Sequence, residues 1–184
     1  MWRTFFFFHF DAKARSLYIH GVMETACIAL GSNLGDREEN LRLAVEGIGA
    51  LSGTQLVATS DFFSAVPVDS PAGSPDFLNA AVVVETNLSA DDLLRALLEI
   101  ERQLGRRRDS AIPNAPRPID LDLLLYGDSI IRTSTLTVPH PRMHMRLFVL
   151  EPLAQIAANF RHPEFKCSIR ELFEDLLRAN ASHD

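Results

Sequence analysis

Apolar positions recur with two different periods along this chain, and the switches between them outline a fold. Residues 26–30, "ACIAL", form a short apolar run closed by Gly31, which suits a buried strand. After a polar loop the period lengthens, and Leu41, Val45 and Ile48 fall on one helical face. Asp36 stands at the N-cap of that helix, with Glu39 three residues on. "TQLVATSDFFSAV" (54–66) reads as one long strand, and "SPAGSP" (70–75) as a loop. "FLNAAVVVETN" (77–87) is β-branched and apolar, a strand that should be buried. Ser89 then caps a second helix whose stripe is Leu93, Leu97, Ile100 and Leu104, with Gly105 as its stop. "RRRDSAIPNAPRP" (106–118) carries too much proline for a regular element. "IDLDLLLYG" (119–127) returns to strand, and "STLTVP" (134–139) suits a short edge strand. A loop and helix over 140–157 and another helix over 168–179 follow. The order β-α-β-β-α-β with helices appended predicts an α+β split βαβ sandwich. Both long helices should lie on one face of a mostly antiparallel sheet.

Inside 119–126, strand geometry sends Ile119, Leu121, Leu123 and Leu125 to the core, and Asp120, Asp122, Leu124 and Tyr126 the other way. Two carboxylates two residues apart on one face sit about 6.5–7 Å from each other and repel. A cation, a basic partner or water must compensate. Hard divalent cations accept such oxygen ligands, but an Asp-x-Asp pair alone suits a solvated strand face equally well.

Charge changes that balance. Arg106, Arg107, Arg108 and Arg117 lie upstream of the pair, and His140, Arg142, His144 and Arg146 downstream. These are more cations than two carboxylates need, in a chain of net charge −6. Arginine forks match phosphate oxygens, so the arrangement points to a polyanion bound together with a metal. The acidic balance argues against a general duplex-binding surface. With 184 residues, 47% hydrophobic and 23% charged, the chain suits one globular domain. Its two cysteines, Cys27 and Cys167, have no metal spacing and fit a reducing compartment, the cytoplasm. Residues 1–22 carry a Phe5–Phe8 cluster too short for a signal core or a membrane helix. They are read as an extension, poorly ordered or from a misassigned start, outside a domain at 23–184. "GSNLGD" (31–36) is not a phosphate-cradling glycine loop. No serine nucleophile elbow or paired-cysteine zinc site is visible.

Four segments, "ALGSNLGD", "FLNAAV", "PRPIDLDLLLYG" and "TVPHPRMHMRLFVLEPL", occur in this order over about residues 25–165. Together they resemble the hydroxymethyl-dihydropterin pyrophosphokinase family of folate biosynthesis. The resemblance implies a ferredoxin-like fold and transfer of the β,γ-pyrophosphoryl group of ATP to the hydroxymethyl oxygen of a reduced pterin, releasing AMP. It implies that Asp120 and Asp122 are ligands of two Mg²⁺ ions and, with Arg106 and Arg117, form the catalytic group. Arg106, Arg117, His140 and Arg146 resemble the residues that grip the triphosphate, and Arg108 a mobile-loop arginine. Glu101 falls where the family contacts the nucleotide. Asn79 resembles the side chain that hydrogen-bonds the pterin, Phe77 and Phe148 the aromatic pair that sandwiches it, and Val66 and Pro67 the backbone that completes the pocket. The chain departs from the pattern at Pro113 and Asn114, where many members carry a basic residue and an aromatic. Its "SAVPVDSPAGSP" segment (64–75) also lacks the usual T-x-P-x-G. The expected partners are the two small substrates, with no nucleic acid, no membrane and a monomeric chain. Two rivals share features with this reading: a glycosyltransferase using D-x-D for a nucleotide sugar, and an RNA-binding split βαβ sheet.

Overall fold

A computed structural model describes residues 23–67, 73–107 and 115–181. The expectations for residues 1–22, Arg108, Pro113 and Asn114 lie outside the described residues. The elements are β1 (Glu24–Ser32), α1 (Arg37–Gly49), β2 (Thr54–Thr59), β3 (Phe63–Ala65), β4 (Phe77–Thr86), α2 (Ala90–Gln103) and β5 (Asp120–Tyr126). They continue with β6 (Ile131–Arg132), β7 (Thr137–Val138), a 3-10 turn (Met143–Met145), α3 (Leu147–Ala157) and α4 (Ile169–Ala181). Both capping signatures are realised: Glu39 N–H donates to Asp36 Oδ1 at 3.1 Å and Asp92 N–H to Ser89 Oγ at 3.2 Å. Gly105 ends α2 at φ +87°, a left-handed turn that its missing Cβ permits.

The main sheet runs β2-β4-β1-β5, with β3 also on β4, and every pairing is antiparallel. On one face Leu41 and Ile48 of α1 and Leu93, Leu97 and Ile100 of α2 pack against Ile28, Leu30, Val82, Val84, Leu121 and Leu123. On the other face Cys27, Ala81, Val83 and Leu125 are covered by Val149, Leu150 and Leu153 of α3, with Ile169 of α4 beyond. The two long helices therefore share a face, as their spacing implies, and the appended helices cover part of the opposite one.

Three details differ from the sequence expectation. First, 54–66 is two strands, because Ser60 takes over the ladder between them. Its N–H donates to Ala81 O, and its Oγ accepts from Ala81 N–H, each at 2.9 Å. A serine hydroxyl competing for backbone donors breaks regular pairing. Second, β5 carries a bulge. Cys27 and Ile28 are consecutive on β1 but face Leu125 and Leu123, leaving Leu124 extra. Alternation therefore slips by one: Leu124 and Leu125 both pack on the α3 side, while Tyr126 turns to the α1/α2 side and its OH donates to Leu88 O at 2.6 Å. Third, β7 pairs with β6 in a separate two-stranded ribbon. None of the helices among the described residues is long and apolar enough to cross a membrane.

Candidate active site

The site follows from the central position of β1. Gly31 pairs with Asn79 of β4 on one side and Asp120 of β5 on the other. Ala29 likewise stands between Ala81 and Asp122. Directly paired residues share a face, so this end of the sheet presents a furrow. Its floor is nearly free of side chains, with an amide on one bank and two carboxylates on the other. Glycine keeps that floor open: a Cβ at position 31 would lie 3.3 Å from Asn79 Oδ1 and 3.5 Å from the Phe77 ring. The walls rise from other elements. Ala65 ends β3 and Val66 follows it, Phe77 opens β4, Arg117 precedes β5, and Arg146 and Phe148 stand at the start of α3. Together they enclose an open cleft of about 660 Å³, mouth included.

The carboxylate bank is electrostatically uneven. Asp120 is paired twice, through Oδ1 to Arg106 and through Oδ2 to Arg117 at 2.6 Å. Arg106 also pairs with Glu101 at 2.5 Å. Glu101 is only 1% exposed, and its Oε1 accepts the Leu121 N–H at 2.8 Å, so it anchors Arg106 to the start of β5. Asp122 makes no hydrogen bond or ion pair among the described residues. Burial first, and then the charge of Asp120, push its carboxyl above the ordinary range; His140, Arg146 and Arg106 pull the other way. His140 is moved down chiefly by its own burial, against the pull of Asp122. The bulge sets this histidine in place: His140 N–H donates to the carbonyl of the extra residue Leu124 at 2.9 Å. Its Nδ1 accepts the Arg142 N–H at 3.2 Å.

The guanidinium groups face the cleft over aromatic rings. Arg117 lies 5.3 Å from the Phe77 centroid and Arg146 5.5 Å from that of Phe148, both within cation–π range. Arg117 Nε is buried without a hydrogen-bond partner among the described residues. Such a donor is costly unless a ligand satisfies it. Asn79 is buried too, and its side chain makes one hydrogen bond among the described residues, Nδ2 to Phe63 O at 3.5 Å. Among the described residues no three His, Cys, Asp or Glu side chains form a self-sufficient metal cage. The donor set that does exist, a half-buried carboxylate unpaired among the described residues next to a second one, fits Mg²⁺ whose remaining ligands come from substrate oxygens and water. An orphaned carboxylate and an orphaned guanidinium N–H in one cleft call for a ligand that brings cation and anion together.

Of the residues picked out in the sequence, Val66, Phe77, Asn79, Arg117, Asp120, Asp122, Arg146 and Phe148 line this cleft. Glu101 and Arg106 support it beneath Asp120, His140 stands close enough to Asp122 for each to shift the other's titration, and Pro67 follows Val66 in the chain. Arg108 lies outside the described residues. Sequence reasoning missed the floor, Ala29 and Gly31, and the neighbouring Asn33. The signal was present: Cys27, Ala29 and Gly31 are small at every second position of β1. Residues 27–158 match the profile of the 7,8-dihydro-6-hydroxymethylpterin-pyrophosphokinase (HPPK) family.

The chain belongs to the HPPK family.

As an HPPK it is a pyrophosphokinase. It is 42% identical over 161 residues to the 2-amino-4-hydroxy-6-hydroxymethyldihydropteridine pyrophosphokinase of Haemophilus influenzae, covering 88% of this chain and 96% of that one. Against the enzyme of the same name from Bacillus subtilis the identity is 46% over 134 residues, covering 71% and 77%. A solved HPPK-DHPS in complex with substrates superposes with a TM-score of 0.67 at 14% identity, covering 87% of this chain and 44% of that chain. The wild-type Plasmodium falciparum HPPK-DHPS superposes at 0.64 and 14% identity, covering 83% and 43%. This chain thus spans less than half the length of those solved chains, and at such low identity they establish the shared fold alone.

Proposed function

We propose that this HPPK transfers the β,γ-pyrophosphoryl group of ATP to the hydroxymethyl oxygen of 6-hydroxymethyl-7,8-dihydropterin and releases AMP. The observation that carries the reading is the presence, in one cleft, of an Asp122 carboxylate and an Arg117 Nε–H that both lack a partner among the described residues. A metal-bound triphosphate supplies what both lack. Asp120 and Asp122 would hold two Mg²⁺ ions, which when bound neutralise phosphate charge and acidify the attacking hydroxyl. Phe77 and Phe148, which both line the cleft, would take a flat heterocycle, with the Asn79 amide to read its edge. The hydroxymethyl oxygen attacks the β-phosphorus, the bond from that phosphorus to the α–β bridging oxygen breaks, and the hydroxyl proton is released. In the free protein Arg106 and Arg117 neutralise Asp120. With Mg²⁺ held by the two aspartates, Arg106 and Arg117 would be available to the phosphates and, with Arg146 and His140, would stabilise charge moving onto the leaving oxygen. Glu101 keeps Arg106 anchored in either state.

The strand order, with α1 and α2 on one face, supports the ferredoxin-like description. The free thiols of Cys27 and Cys167 are compatible with a cytoplasmic, reducing setting. A coupled assay tests the reading: AMP should form from ATP, one per pterin consumed, with Mg²⁺ present and only when hydroxymethyl-dihydropterin is added. Absence of AMP, or ATP breakdown independent of the pterin, overturns it. Tight binding of a nucleotide sugar or of single-stranded RNA in place of these substrates would favour a rival.

A further inference from the structure

The central strand β1 runs antiparallel to both β4 and β5, so its C-terminal end lies between the two loops that enter those strands. Asn33, the first residue past β1, stands at that junction and is 1% exposed. Its side chain touches both loops. Oδ1 accepts the Arg117 N–H at 2.8 Å, and Nδ2 donates to Pro75 O at 3.3 Å. Its backbone N–H adds a bond to Arg117 O at 3.2 Å. Pro75 lies two residues before Phe77, and Phe77 is the ring beneath the Arg117 guanidinium. A second tie on the same side is looser and exposed, Arg37 Nη1 to Asp76 O at 2.7 Å. One buried planar amide therefore spaces the aromatic bank from the arginine–carboxylate bank.

We infer that Asn33 is a positioning residue that couples the two halves of the cleft, passing order imposed on the phosphate-facing loop at Arg117 to the loop that carries Phe77. The inference rests on the pterin and ATP reading of those halves. A rigid amide makes the positions of Pro75 and Arg117 interdependent, because neither loop can shift without straining or breaking the bond to the other. A residue that merely filled space would lack this directional split. Its acceptor serves one loop and its donor the other, so the two functions can be separated by substitution.

Asn33→Asp keeps the acceptor for Arg117 N–H but sets a carboxylate oxygen against the Pro75 carbonyl; Asn33→Ala loses both bonds. Calorimetry at about pH 8.5, where an aspartate is ionised, would measure α,β-methylene-ATP with Mg²⁺ first, then hydroxymethyl-dihydropterin on top of it. Asn33→Asp is expected to weaken pterin binding about tenfold while nucleotide binding stays within about twofold. Asn33→Ala should weaken both. Equal losses of both ligands in Asn33→Asp, or unchanged pterin binding, would overturn the coupling. Should Asn33→Asp fail to fold, wild-type hydrogen exchange decides: α,β-methylene-ATP with Mg²⁺ alone should slow the amides of 76–78, across the latch, and no slowing there overturns it. If the folded wild-type protein binds neither substrate, the functional reading fails separately. The latch is then judged by exchange in Asn33→Asp, where faster exchange at 76–78 with Arg117 N–H still protected supports it, and unchanged exchange refutes it.

Discussion

Replacing Asp122 by asparagine should make the substrate-free protein more stable while abolishing turnover. Asp122 is a desolvated carboxylate with no ion pair among the described residues, beside Asp120. Burial and that neighbour raise its pKa in the folded chain, so the folded state holds a proton that the unfolded state gives up. Stability therefore falls as pH rises from the ordinary aspartate value, about 3.9, upward through the raised one. The full penalty is present once the pH lies above the raised value. Two charges about 6.5–7 Å apart at an effective dielectric of about 20 repel by about 2.5 kcal/mol. Arg106 and Arg117 on Asp120, with His140 and Arg146 nearby, cancel part of this, leaving on the order of 1 kcal/mol. Removing it should raise the melting temperature by about 2–4 °C in a chain of this size. Differential scanning calorimetry without nucleotide, above and below neutrality, reads the gain and its disappearance in acid. With Mg²⁺ and α,β-methylene-ATP the order should invert: the wild type gains stability and the variant gains little. AMP formation should fall about a thousandfold. An unchanged or lower melting temperature in the free variant, or retained Mg²⁺-dependent AMP release, refutes the picture of an unbalanced carboxylate awaiting a cation.

Three other substitutions probe different parts of the molecule. Gly31→Val places carbon where even a Cβ lies 3.3 Å from Asn79 Oδ1, so fluorescence titration should show pterin affinity reduced by about tenfold or more with the melting temperature little changed. Arg117→Lys keeps the charge but loses the guanidinium plane that pairs with Asp120 through Nη2, lies over Phe77 and leaves Nε–H for a ligand; steady-state kinetics should show kcat/KM down about a hundredfold, and near-normal activity would refute a specific role for the guanidinium. His162, away from the cleft, is buried, stacks on Phe165, and accepts the Glu164 and Phe165 N–H groups on Nδ1 at 3.3 Å each. Burial lowers its pKa, helped by His144 and opposed by Glu164, so stability should be lost as pH falls below about 6.5 and through the lowered value. His162→Asn keeps an acceptor in the Nδ1 position and should flatten that part of the pH–stability curve.

Local signals carried the helices well. Asp36, Ser89 and Gly105 act within a turn of their own chain, so a capping side chain or a left-handed stop is legible wherever it stands. The strands were legible as segments but less so in their internal geometry. The break at Ser60 depends on a hydroxyl meeting the Ala81 N–H on another strand, and the bulge at Leu124 on how β5 matches β1. Neither pairing leaves a trace in local composition. The consequence reaches the site, because the carbonyl freed at the bulge is the one that holds His140.

The order of residues by itself determined the element sequence, the amphipathic faces of α1 and α2, and the identity of the reactive groups. Asp120 and Asp122 share a face because a strand alternates side chains, whatever lies around it. Only the tertiary structure decided that Asp120 is doubly neutralised while Asp122 is left bare, and that Gly31 and Ala29 hollow out the floor between aromatic and acidic banks. It alone brought Asn33 to the junction of two loops 42 and 84 residues away along the chain. The reason is physical: a side chain's chemistry is set by its own bonds, but its solvation, its partners and the space in front of it are set by segments distant in sequence.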